Sequence, residues 1–124
     1  MIKRLKAIYP NTGLGVAATK AESLRVPHGD TASLIVSVGS DDGTLLDVNS
    51  GVLEFRLLHP VGGQVLYRST ATGTAGSFET VVPIALPNNL PAGSYQWDLW
   101  YTPNAGTAHQ VIPMGSFQFH SSSR

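Results

Sequence analysis

Apolar and polar side chains alternate with a period of two along most of this chain, and turn residues interrupt the alternation at short intervals. The clearest instance follows the Leu90-Pro91-Ala92-Gly93 corner. There Tyr95, Trp97, Leu99 and Tyr101 fall on one face and Gln96 and Asp98 on the other. Successive side chains of an extended backbone point to opposite faces, so this pattern predicts a half-buried antiparallel strand over 94–101. The same grammar predicts strands at 22–26, 32–38, 51–58, 64–69, 77–82 and 107–119. Ala32, Leu34, Val36 and Val38 share a face in the second of these seven. Leu53, Phe55 and Leu57 point inward in the third, with Glu54 and Arg56 outward, and Phe78, Thr80 and Val82 share a face in the fifth. Turns are expected at Pro27-His28-Gly29-Asp30, Ser40-Asp41-Asp42-Gly43 and Pro60-Val61-Gly62-Gly63, where Asp and Gly favour local backbone bonding and positive φ. Three prolines make 83–91 an irregular or briefly helical crossover, and Pro113 with Gly115 predicts a bulge in the last strand.

Seven antiparallel strands with one longer crossover before the penultimate strand suit an all-β fold. The expected architecture is a seven-stranded antiparallel Greek-key, immunoglobulin-like β-sandwich with an extended N-terminal arm. Tyr95 occupies the place where such sandwiches often carry a corner tyrosine. The expected core is Leu34, Val36, Phe55, Leu57, Phe78, Tyr95, Trp97, Leu99 and Phe117. Residues 1–21 lack sustained alternation and read as the arm, 22–120 as the sandwich domain, and 121–124 as a disordered tail. Ile2, Leu5, Ile8, Tyr9 and Leu14 give the arm more apolar character than a solvated tail carries. It packs on its own domain or lies on a neighbouring subunit, and deleting residues 1–20 is expected to abolish assembly on the particle while leaving a folded monomer; loss of the fold would show that the arm belongs to the core.

Composition sharpens this picture in one respect. Charged residues make up 13% of the 124 positions, against roughly 25% in ordinary soluble domains. A surface so poor in charge suits a protein partly covered by neighbours. Eight Lys+Arg balance eight Asp+Glu, so no global field favours nucleic acid or an anionic membrane. No stretch approaches the roughly 18 apolar residues of a membrane span, and none follows the basic start as a signal peptide requires. The lack of cysteine excludes disulfides and thiolate metal sites.

No reactive constellation is legible. His28, His59, His109 and His120 share no ligand-type spacing, and Asp41-Asp42-Gly43 with Asp47 falls short of a calcium loop. Glu54, Glu79 and Asp98 are expected on outward faces, meeting cross-strand partners or water, and not as a paired acid and base. No Gly-x-Ser-x-Gly elbow or phosphate-cradling glycine loop occurs. The expectation is a non-enzymatic protein with no cofactor and no metal. Trp100 breaks the inside–outside rule, since it shares a face with Gln96 and Asp98. It is covered by the arm, buried against another molecule, or, as a third alternative, offered to a sugar with Tyr101 as the platform of a carbohydrate-binding module.

The order of motifs adds a resemblance. Gly29-Asp30-Thr31 precedes an alternating strand, and Asp41-Asp42-Gly43-Thr44 leads into Gly51-Val52-Leu53-Glu54-Phe55-Arg56. Then come His59-Pro60-Val61-Gly62-Gly63, Leu90-Pro91-Ala92-Gly93-Ser94-Tyr95-Gln96-Trp97-Asp98-Leu99 and Gly115-Ser116-Phe117-Gln118-Phe119. Over residues 29–119 the chain resembles small immunoglobulin-like virion structural proteins of tailed bacteriophages, including N-terminal domains of baseplate upper proteins. The resemblance implies a structural protein of the virion, assembled in the host cytoplasm. It would dock onto other phage virion proteins of the capsid or tail, as a tail, baseplate or neck component or as a capsid decoration (cement) protein. A homo-oligomer or multicopy assembly is expected, and the apolar arm and the alternation supply Trp100, Ile2, Leu5, Ile8, Tyr9 and Leu14 as candidate interface residues.

Overall fold

The computed structural model describes residues 2–9, 23–27, 30–40, 51–73, 78–87, 89–103 and 108–120. The expected turn at Asp41-Asp42-Gly43, His28, Leu14 and the tail 121–124 lie outside them. The described residues form no helix and hold eight strands, one more than expected. These are β1 (Ile2–Tyr9), β2 (Leu24–Pro27), β3 (Ala32–Ser40), β4 (Val52–Leu58), β5 (Val65–Thr72), β6 (Glu79–Ile84), β7 (Gly93–Thr102) and β8 (His109–His120). They build two sheets, ordered β1-β3-β6 and β2-β8-β7-β4-β5.

The extra strand comes from the stretch read as an arm. Ile2–Tyr9 pairs with β3 in parallel along its whole length, and its Leu5 and Ala7 are buried in the core. The alternation there is weak in the sequence. Lys3 heads the inward row, while Ile2 and Ile8 stand in the outward one, so hydropathy barely distinguishes the faces. β2 also pairs in parallel, with β8. The sheets are therefore mixed and not purely antiparallel. Both parallel strands lie at sheet edges, where an approaching N-terminal segment can join in either direction.

The inward rows meet as the alternation demands. Phe55 stacks on Trp97 with ring centroids 5.9 Å apart and leans on Phe117 at 6.1 Å. Leu34, Val36, Leu57 and Leu99 are fully buried around them. The Tyr95 hydroxyl donates to the Pro91 carbonyl at 2.5 Å, so the corner tyrosine ties β7 to the turn that feeds it. Tyr101 sits edge-on to Tyr9, centroids 5.4 Å apart. Its ring also lies over Gly51, where a Cβ would come within 2.6 Å of it. The β4–β5 hairpin turns through Gly62 (φ 85°) and Gly63 (φ 70°), conformations that favour glycine.

Phe78 departs from expectation. The alternation puts it in the core, yet it is 48% exposed. The last register pair of β3 with β6 is Ser37↔Glu79, so Phe78 lies just past the ladder and has no sheet to face. The same ladder runs on through Pro83, which the crossover reading excluded. β6 is an edge strand of its sheet, and an edge tolerates proline's missing N–H. The two sheets are stitched along this side by side chains. Ser69 Oγ on β5 donates to the Pro83 carbonyl at 2.5 Å, and the Ala85 N–H donates to Tyr67 Oη at 3.0 Å. The expected irregularity in β8 is present, since Trp97 pairs with Gly115 and Leu99 with Ile112, with the register shifted between them.

Candidate interaction surfaces

The solvent face of the five-stranded sheet is polar, and its centre is an ion pair. Arg56 on β4 stands directly across from Asp98 on β7. Arg56 Nε donates to Asp98 Oδ1 at 2.9 Å and Nη2 to Oδ2 at 2.7 Å, while Gln110 Nε2 on β8 adds a bond to Oδ2 at 3.1 Å. The bidentate fork is the strong geometry for a guanidinium and a carboxylate. Asp98 is completely buried beneath these partners, although it lies on an outward face. The expected cross-strand partner is thus present, and with Gln110 it closes the carboxylate off from the surface. The hydrogen bonds to Asp98 raise the Arg56 pKa above its ordinary value, and partial burial opposes them. Arg56 also lies over the Trp100 ring, 5.0 Å from its centroid, in cation–π contact. Arg68 reaches Glu54 at 3.4 Å beside this group.

Trp100 is outward, as the alternation requires, and partly exposed, with its Nε1 buried and without a hydrogen-bond partner. Strand β1 belongs to the opposite sheet, so the described part of the presumed arm does not cover Trp100. Tyr101 faces the other way and is 3% exposed. The paired ring platform expected for a carbohydrate-binding module does not form, because adjacent residues of a strand cannot share a face.

The solvent face of the three-stranded sheet is different in character. Its rows run Ile2–Ser33–Pro83, Arg4–Ile35–Val81 and Lys6–Ser37–Glu79. Ile2 is 73% and Val81 54% exposed, with Ile35 half-buried between the strands that carry them. Arg4 and Glu79 form an exposed ion pair across the sheet. Of the arm residues named as interface candidates, Ile2 is therefore on the surface and Ile8 partly so. Leu5 is buried in the chain's own core, and Tyr9 packs on Tyr101. Val81 lies on the face opposite Thr80 and Val82, so its outward side follows from the alternation, and its pairing with Ile35 places it beside another apolar residue.

Groups of reactive type are dispersed. Among the described residues no three His, Cys, Asp or Glu side chains converge on a point where a metal could sit. His59 Nδ1 accepts the Val61 N–H at 3.0 Å within the β4–β5 turn. A groove of about 220 Å³ along β2 and β8 is lined by Ser23, Arg25, Ser116 and Gln118 among others, with the Ser23 and Ser116 hydroxyls 2.8 Å apart. It offers hydrogen bonds and one positive charge.

No protein-family model matches the chain, and no curated protein matches it. Among solved structures it is similar to one described as the N-terminal domain of phage TP901-1 ORF48. That similarity has 12% sequence identity and a TM-score of 0.48, and covers 99% of this chain and 100% of that one.

Proposed function

We propose that this protein is a non-enzymatic structural component of a bacteriophage virion. It docks onto other virion proteins as a tail, baseplate or neck part or as capsid decoration, in several copies per particle. The observation that carries this reading is the outer surface of the three-stranded sheet, where Val81 pairs with Ile35, Pro83 follows on the same face of β6, and Ile2 is exposed on β1. Scattered exposed apolar residues are ordinary, whereas a patch of them spread over three adjacent strands marks a surface that another molecule covers. The low content of charge agrees with a molecule that is partly enclosed. Asp98, the buried carboxylate, has both oxygens held by Arg56 and Gln110 and serves as a structural anchor in this reading. The order of turn and strand motifs adds the phage context.

Quantitative mass spectrometry of purified phage particles, with immunogold labelling against this chain, tests the proposal. The chain is expected to co-purify with particles at a fixed ratio to the major capsid protein. A ratio of hundreds per particle identifies cement, and a few to a few dozen identifies tail or neck. Its absence from particles whose genome encodes it defeats the proposal.

A further inference from the structure

The β2–β8 groove on the outer face of the five-stranded sheet has a composition that the core does not require. The register sets Arg25 beside Gln118 and Gln118 beside Ser94, so the three stand in one row across β2, β8 and β7. Next to this row the Ser23 hydroxyl meets that of Ser116. All five side chains are exposed, and the groove of about 220 Å³ that they line carries no carboxylate. Leu24 and Phe117 turn their side chains into the core, which leaves their backbone as the floor. Arg25 also differs from the other described arginines. Arg4 pairs with Glu79, Arg56 with Asp98 and Arg68 with Glu54. Among the described residues no carboxylate pairs with Arg25, and none makes a side-chain hydrogen bond to Ser94 or Gln118.

We propose that this groove binds one acidic sugar residue, a pyranose carrying a carboxylate, with Arg25 on the carboxylate and the serines and Gln118 on the ring hydroxyls. The row from Arg25 to Ser94 crosses two strand spacings, about 10 Å, enough for a single ring and its substituents. The groove is smaller than the roughly 300–1,000 Å³ of sites for drug-sized ligands, which also limits the occupant to one ring. A guanidinium grips a carboxylate through two parallel N–H donors. The Gln118 amide offers donors and an acceptor side by side, and each serine hydroxyl offers both, which suits the neighbouring hydroxyls of a sugar. A peptide finds little here. Protein interfaces are anchored by large aromatic and apolar side chains, and the two apolar residues of this groove are buried. Trp100 takes no part, since it stands six positions from Ser94 on β7, about 20 Å along the strand. The site stands whether or not the chain is a virion component.

The test follows the Arg25 Nε–H and Gln118 side-chain amide signals of the full chain, isotope-labelled for NMR, during titration with glucuronate, glucose or acetate. Both signals are expected to shift with glucuronate. Half-saturation should need about fivefold more of either glucose, which lacks the carboxylate, or acetate, which lacks the ring. Salt at about 0.5 M should bring glucuronate close to the glucose value. Arg25→Gln should abolish the preference for glucuronate over glucose without moving the unfolding midpoint, because Arg25 is exposed. Gln118→Ala should weaken both sugars. Equal binding of acetate and glucuronate marks a simple anion site and overturns the proposal. So do equal binding of glucose and glucuronate, shifts centred on Trp100, or no shift with any of the three. A tetraglutamate peptide that displaces glucuronate at lower concentration makes the groove a protein-docking site, and overturns it too.

Discussion

Asp98 shows how a single outward position can become a structural anchor. Arg56 faces it across the ladder, Gln110 caps it from β8, and Trp100 lies against the guanidinium, so an exposed row closes over its own charge. Removing one partner of such a pair costs about 3–5 kcal/mol when the other stays buried. Arg56 keeps 23% of its side chain exposed and can recruit water. Asp98→Ala should therefore cost about 3 kcal/mol, at the low end of that range, and Asp98→Asn less, measured as urea unfolding. The Arg56 pKa is raised in the folded state. Its contribution is thus complete below the ordinary guanidinium value and lost only in stronger alkali, leaving it constant across neutral pH. Gly51→Ala drives a methyl into the Tyr101 ring and should cost about 1–3 kcal/mol, because the ring is held by Tyr9 and cannot retreat freely. Neither site was legible in the linear chain. Arg56 and Asp98 are 42 residues apart, and only the β4–β7 register brings them together.

At the scale of elements, β7 was readable almost residue by residue and β1 was not. In β7 Tyr95, Trp97, Leu99 and Tyr101 oppose Ser94, Gln96 and Asp98, so the faces identify themselves despite Trp100 on the polar side. In β1 both rows mix apolar residues with cations, and the strand is defined instead by β3, which offers it an open edge. Deleting residues 1–9 is expected to abolish the cooperative unfolding transition as well as assembly, since it uncovers β3 and strips Tyr9 from Tyr101. Leu5→Ala alone should cost about 2–5 kcal/mol. A deletion variant that keeps native near-ultraviolet circular dichroism would show that β1 is dispensable to the core. The displacement of β6 toward Pro83 has a similar origin, because an edge strand accepts proline where a central one does not.

For the whole molecule, formal charge sums to zero with a pI near 6.9. Mutual repulsion is weakest there, and Ile2 and Val81 remain exposed on the three-stranded sheet. Solubility of the isolated chain, measured by polyethylene glycol precipitation, should pass through a minimum near neutral pH and rise on either side. A flat profile would indicate that these exposed residues do not govern association. The balance also hides an asymmetry, since β1 is purely basic while the totals are even.

Alternation along the chain was enough to establish an all-β fold, most strand positions, the aromatic centre at Phe55, Trp97 and Phe117, and the outward side of Trp100. Those properties follow from which side of an extended backbone each residue occupies, and that is local. Folding in three dimensions decided the joining of β1 to β3, the exposure of Phe78 and the burial of Asp98. Each of these depends on strand order and register between distant segments, and no period within a single strand encodes that pairing.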